Sequence, residues 1–268
     1  MQKMKTLPLL TALLLPALPH TAVQAAEKTP DAKADKVFDE ANEGAMKIAR
    51  LVTGKHKIIS RYRAYHGSTY GSMSMSAEFR NWAYEPAVPG VLHCLEPYCY
   101  RCPFGYKDNK TCGIQCLETL KTQIMLEGPK TIAGIFMEPI VGTNGIIIPP
   151  VEFMKGVRQI CDENGILLVM DEVMAGFGRS GKWLGCEHFG VVPDIIIFGK
   201  AIGGGFPLAG TVSRGDLGLE PGDHGYTFTT FPVSMAAGLA TLEVIEEVRL
   251  LERCQVLGQQ VTARLNEL

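Results

Sequence analysis

Asp194-Ile195-Ile196-Ile197-Phe198-Gly199-Lys200, followed by Ala201-Ile202-Gly203-Gly204-Gly205, is the stretch on which the reading turns. The apolar run reads as a buried strand. Lysine is normally a solvated surface residue. Lys200 instead closes a buried strand and opens a loop almost without side chains, which leaves room for a bulky planar partner. Upstream, a second apolar run, Ile166-Leu167-Leu168-Val169-Met170, ends in Asp171-Glu172-Val173. Two buried strands, one ending in a carboxylate and the other in an amine, place both groups on one rim of a parallel sheet. That rim is where open α/β sheets bind ligands. The spacing of 29 positions between Asp171 and Lys200 suits one crossover back into the sheet.

The neighbouring segments extend the same pattern. Residues 41–53 read as a helix, with Ala45, Ile48, Ala49 and Val52 on one face and Gly54 as its stop. Lys57 to Tyr62 reads as a strand leading into Ala64-Tyr65-His66-Gly67-Ser68-Thr69, and residues 71–90 read as loop. Val91 to Leu95 is a short strand, 114–127 a helix, and Thr131 to Met137 a strand ending in Glu138-Pro139. Pro149 and Pro150 open a helix that reaches Asn164, where Gly165 caps it. Leu208 to Ser213 is a further strand, and Val233 to Arg253 a helix. Strands alternating with helices predict a parallel α/β sheet.

Composition narrows the function. With 46% hydrophobic residues, 20% charged residues and a net charge of −2, the 268-residue chain reads as a soluble globular enzyme able to bury one sizeable core. It has no Lys/Arg block of the kind that nucleic-acid binding requires. The first 26 residues differ from the rest. Lys3 and Lys5 precede an apolar stretch from Leu7 to Leu18, broken by Pro8 and Pro16, and Val23-Gln24-Ala25 fits a cleavage site. This is the layout of an export signal, too short and too Pro-broken for a membrane span. Cleavage would remove the two lysines and take the charge from −2 to −4. Residues 27–39 read as a linker and 40–268 as one domain. Four cysteines lie at Cys99-x2-Cys102-x9-Cys112-x3-Cys116. Their spacing is open to three readings: a metal site, disulfides in an exported chain, or reduced thiols in a loop. Cys94, Cys161, Cys186 and Cys254 read as core packing.

Four motifs occur in order: Asp171-Glu172-Val173, Gly176-Phe177-Gly178-Arg179, Phe198-Gly199-Lys200-Ala201-Ile202-Gly203-Gly204-Gly205 and Gly225-Tyr226-Thr227-Phe228. From about Glu40 onward the chain resembles the large domain of class III pyridoxal-phosphate aminotransferases, most similarly the taurine–pyruvate and ω-amino acid–pyruvate type. The resemblance implies fold type I, a mostly parallel central sheet flanked by helices, with pyridoxal 5'-phosphate as cofactor. It implies transfer of an amino group from an ω-amino acid or similar amine to a keto acid such as pyruvate. An amine that forms a Schiff base and an acid facing a pyridine nitrogen are what this cofactor needs. Lys200 would carry it and shuttle protons, Asp171 would bind the ring nitrogen, Tyr65 would stack on one ring face and Val173 would press on the other. Glu138 would organise the substrate side, with His66 beside Tyr65. Thr227 would reach the phosphate of the neighbouring subunit, which makes a homodimer part of the site.

The chain also departs from that pattern. A Ser-Gly-Ser/Thr phosphate cup precedes the first helix in the family; here the positions read Val37-Phe38-Asp39. Asp39 would repel a phosphate where a helix N-terminus should attract one. The family's N-terminal segment and its C-terminal small domain have no counterpart, so the expectation is a large-domain core truncated at both ends. A catalytically weak remnant is the alternative that follows. An NAD-dependent oxidoreductase is the other, resting on Gly176-x-Gly178-x-x-Gly181, a pattern that needs a following helix. The leader points to export, to the periplasm or outside the cell; the family's usual setting is cytoplasmic.

Overall fold

The computed structural model describes residues 32–77, 79–217, 219–227 and 230–267, with the side chains of 32–36 and 109–114 left aside. The expected leader and its cleavage point lie outside the described residues. Lys33–Leu268 form one compact unit.

Its elements in order are α1 (Ala32–Thr53), β1 (Lys57–Arg61), α2 (Tyr70–Met75), α3 (Phe79–Trp82), β2 (Val91–Cys94), α4 (Asn109–Glu127), β3 (Ile132–Met137), α5 (Val151–Asn164), β4 (Leu167–Asp171), β5 (Ile195–Phe198), β6 (Gly210–Ser213), α6 (Pro232–Glu247) and α7 (Leu250–Leu265). The six strands form one sheet in the order β2-β1-β3-β4-β5-β6. Every pairing is parallel except β5 with β6. The five parallel strands therefore end on a common rim, which collects Arg61, Glu138, Asp171 and Lys200 from β1, β3, β4 and β5.

Both faces of the sheet are covered, which is why its strands are apolar at nearly every position. Adjacent residues go to opposite sides, as the two-residue period of a strand requires. Ile59, Ile135, Leu168 and Met170 pack with α4 and α5 through Leu120, Phe153, Val157 and Ile160. Ile58, Phe136, Leu167, Val169 and Ile197 pack with α1 through Phe38, Ala41, Ala45, Ile48 and Ala49. Asp194 fastens the start of β5. Its carboxylate accepts from Leu168 N at 2.7 Å and pairs with Arg158 at 2.8 Å and Arg214 at 3.1 Å, tying β4, α5 and β6 together.

Three expectations need correction. The linker expected over 27–39 is helical from Ala32, because Phe38 extends the buried stripe of Ala41, Ala45 and Ile48 by one more turn onto the sheet. The loop expected over 71–90 contains α2 and α3. The helix expected over 233–253 is two helices, broken where Arg249 takes a φ of 53°. Unbroken apolar spacing hid that break. Gly165 does cap α5, in the left-handed region at φ 58°.

Candidate active site

The site is built at the rim, where β4 delivers a buried carboxylate. Asp171 is 3% exposed. Its Oδ1 accepts from Val173 N at 3.0 Å, and its Oδ2 lies 2.7 Å from His66 Nδ1 and 3.4 Å from Asn42 Nδ2. Both oxygens are thus held, one by the turn after the strand and the other by a histidine and a helix amide. His66 is fully buried, edge-on to Phe136, with no protein hydrogen-bond partner for Nε2.

Behind this pair lies a second buried carboxylate. Glu138 is 3% exposed and stands 3.7 Å from Arg61 Nη2, which itself donates to the Glu138 backbone carbonyl at 2.5 Å. Burial pushes the Glu138 carboxyl up to about 7, against the opposing charges of His66 and Arg61. The ion pair and the raised pKa pull in opposite directions. Burial outweighs the ion pair, because the guanidinium spends its short hydrogen bond on the backbone oxygen.

Lys200 follows β5 and is itself exposed. Its φ of 49° lies in the left-handed region, a costly conformation for a residue with a Cβ and one that recurs at functional sites. Its Nζ sits 4.0 Å from the centroid of the Phe38 ring. Val173 and Phe38 belong to the same buried cluster, against which Tyr65 packs. Tyr65 is half-buried, its ring 6.4 Å from that of Phe38 and 5.4 Å from the Arg80 guanidinium. Arg80 in turn donates to Asn144 Oδ1 at 2.5 Å.

Of the expected residues, the structure brings Asp171, His66, Val173, Tyr65, Glu138 and Lys200 to one rim. Thr227 is exposed, and no contact within the described chain draws it to that rim. Asn42, Arg61, Arg80 and Phe38 are additional members. Arg61 carried only a weak signal in the sequence, a charge closing a strand that Lys57 and Ser60 make look half-solvated. Asn42 and Arg80 carried none.

The remaining candidates have other surroundings. Gly176-x-Gly178-x-x-Gly181 opens no helix, so the dinucleotide reading is set aside; the segment forms turns, with Glu172 accepting from Gly185 N and Cys186 N at 2.8 Å each. Cys99 and Cys102 pack on the core beside Cys94 and Cys116. Among the described residues no three His, Cys, Asp or Glu side chains could hold a metal; the Cys112 side chain lies outside them. Burial raises the Cys94, Cys161 and Cys186 thiols to about 12, as core thiols. Cys254 differs, being half-exposed with its sulfur on the Arg179 carbonyl.

Comparison with known proteins agrees with this geometry. The class III aminotransferase family profile matches residues 25–268. A leucine/methionine racemase of Thermococcus litoralis is 41% identical over 236 residues, covering 85% of this chain and 52% of that protein. A diaminobutyrate–2-oxoglutarate aminotransferase of Rhizobium meliloti is 38% identical over 232 residues, covering 85% and 49%. Among solved structures, a taurine:2-oxoglutarate aminotransferase from Bifidobacterium kashiwanohense, in complex with pyridoxal phosphate and glutamate, superposes with a TM-score of 0.76. It is 35% identical and covers 94% of this chain and 61% of that one. This chain spans about half the length of the curated relatives it matches. A fold type I sheet with an acid and a lysine on its rim, and a match along nearly the whole sequence, lead to one conclusion: the chain belongs to the class III aminotransferases, whose cofactor is pyridoxal 5'-phosphate.

Proposed function

We propose that this chain takes part in amino-group transfer from an ω-amino acid or similar amine to a keto acid such as pyruvate, with Lys200 as the residue that carries the cofactor. The observation that carries this reading is the rim itself. A buried carboxylate with both oxygens anchored faces the same cluster as a lysine held at positive φ.

The residues present suit the cofactor chemically. Asp171 is an anchored carboxylate fit to face a ring nitrogen, and His66 and Asn42 keep it oriented. Tyr65 and Val173 offer an aromatic and an aliphatic face. The space beneath Lys200 is a different matter, since Phe38 fills it. When bound, pyridoxal phosphate supplies an electron sink that lets a proton leave the carbon bearing the amino group. Lys200 Nζ would be the base that takes that proton and returns it. Burial pushes the Glu138 carboxyl up to about 7, so this rim group can change charge near neutral pH. Thr227 of one subunit would reach the phosphate held by the other, so the working unit is a homodimer.

The 41% identity to a racemase favours a second reading on the same residues, proton exchange at an α-carbon with no keto acid consumed. Two measurements test the set. Borohydride reduction of the cofactor-loaded chain, followed by peptide mapping, is expected to mark the Lys200 peptide; a mark on Lys182 or Lys155 rejects the assignment. Alanine formed from pyruvate signals amino transfer, whereas α-deuterium exchange without alanine signals racemisation.

A further inference from the structure

We propose that the second turn of α1 is a plug, with Phe38 filling the space that the cofactor must enter, so that cofactor binding is coupled to withdrawal of this turn. The proposal rests on the reading of Lys200 as the cofactor-bearing residue. Phe38 is 2% exposed although it lies near the start of its helix. The 4.0 Å from Lys200 Nζ to its ring centroid is van der Waals contact. A ring joined to Nζ on its inward side would therefore overlap the Phe38 ring. The packing around it is closed. A methyl placed on Gly199 would come within 3.2 Å of Phe38 Cβ, 3.3 Å of Ala209 Cβ and 3.6 Å of Val173 Cγ2. On another side Tyr65 meets the ring at 6.4 Å, within the range of an attractive aromatic pair.

The turn is also latched. Asp39 accepts from Ser68 N at 3.0 Å, Thr69 N at 3.1 Å and Ser68 Oγ at 3.3 Å. Gly67 makes that approach possible: at φ 131° it adopts a backbone other residues avoid, and a Cβ there would lie 2.1 Å from Asp39 Oδ1. One turn further along, Asn42 bonds both the Phe38 carbonyl, at 3.2 Å, and Asp171 Oδ2, at 3.4 Å. The helix that carries the plug thus touches the carboxylate expected to bind the ring nitrogen. Withdrawing Phe38 and engaging Asp171 are linked through a single amide.

The test uses the full chain. Equilibrium dialysis against pyridoxal phosphate is expected to give a dissociation constant at least roughly tenfold lower for Phe38→Ala than for the parent, because burial of the ring opposes binding. In the parent, saturating cofactor is expected to speed amide hydrogen exchange across residues 36–40 while 45–53 stays protected. Equal affinity of parent and variant, or unchanged exchange at 36–40 with cofactor bound, overturns the plug and leaves the functional reading standing. Should Phe38→Ala not fold, the exchange measurement on the parent decides alone. Retention of cofactor by neither chain at millimolar concentration overturns the functional reading and the plug with it.

Discussion

The two sides of the site are built on opposite principles. On the strand rim, Asp171, His66, Glu138 and Arg61 are buried polar groups, several with atoms that no protein group satisfies: His66 Nε2, Glu138 Oε2 and Arg61 Nε and Nη1. Buried polar groups of this kind are costly, and they concentrate where a protein does chemistry. On the facing turn of α1, Phe38 is packed on apolar neighbours and the Asp39 carboxylate takes three hydrogen bonds from Ser68 and Thr69. The rim is assembled for a ligand, whereas the turn is held by protein contacts, through Phe38 packing and Asp39 Oδ2, although it too keeps a buried oxygen, Asp39 Oδ1, outside these hydrogen bonds. A site can therefore hold the right chemistry and still be closed sterically, because the two properties come from different segments of chain.

The sharpest way to break the contrast is to disarm the rim. Asp171→Asn keeps the shape and removes the charge. Its expected cost is on the order of 10²- to 10³-fold in the turnover of amino transfer, the loss typical of removing a preorganised electrostatic group. Attachment of the cofactor at Lys200 should survive, because the lysine is untouched, and intact mass measurement reads it. A variant turning over within about threefold of its parent would show that the buried carboxylate serves the fold and not the chemistry.

Glu138 sharpens the same contrast through pH. Burial holds its carboxyl at about 7 in the folded chain, against an ordinary value of 4.5. Between those values the folded chain keeps a proton that the unfolded chain has released, so stability must fall as pH rises through this window. The contribution is complete below 4.5 and gone above about 7, and a displacement of that size is worth up to about 3 kcal/mol. Urea unfolding between pH 5 and 8 should therefore show the parent losing stability relative to Glu138→Gln, which cannot titrate. Parallel curves would mean that the carboxylate is ionised throughout.

How far the sequence could be read follows from the same division. The rim was legible because each key group ends an apolar run: Asp171 after Leu167-Leu168-Val169-Met170, and Lys200 after Ile195-Ile196-Ile197-Phe198. A charge closing a buried strand is a strong local signal. Arg61 was hidden by its neighbours, since Lys57 and Ser60 make β1 look half-solvated although Arg61 is fully buried. The turn of α1 was not legible at all. Residues 27–36 have the charged, Ala-rich, Pro-containing composition of a linker, and only the sheet face against Phe38 turns the stretch from Ala32 into helix. Missing phosphate-cup residues showed what the turn lacks, but not that Phe38 would lie against Lys200. That contact joins residues 162 positions apart and has no local trace.

The smallest expected effect tests the latch. Asp39→Ala removes three hydrogen bonds and leaves the amides of Ser68 and Thr69 without their acceptor. Leaving such donors unmet costs about 1–2 kcal/mol, softened here because Ser68 is exposed and water can replace part of the loss. Asp39→Asn keeps an acceptor oxygen at the same reach and should cost less than Asp39→Ala. Urea midpoints at neutral pH read both. The order matters more than the size, because the contrast of a turn latched by protein contacts with a rim assembled for a ligand requires the carboxylate to be an asset to the unliganded fold. If Asp39→Ala is as stable as its parent while Asp171→Asn retains its fold, the turn is held by Phe38 packing alone. In that case the aromatic ring, and not the acid, is what a ligand has to displace.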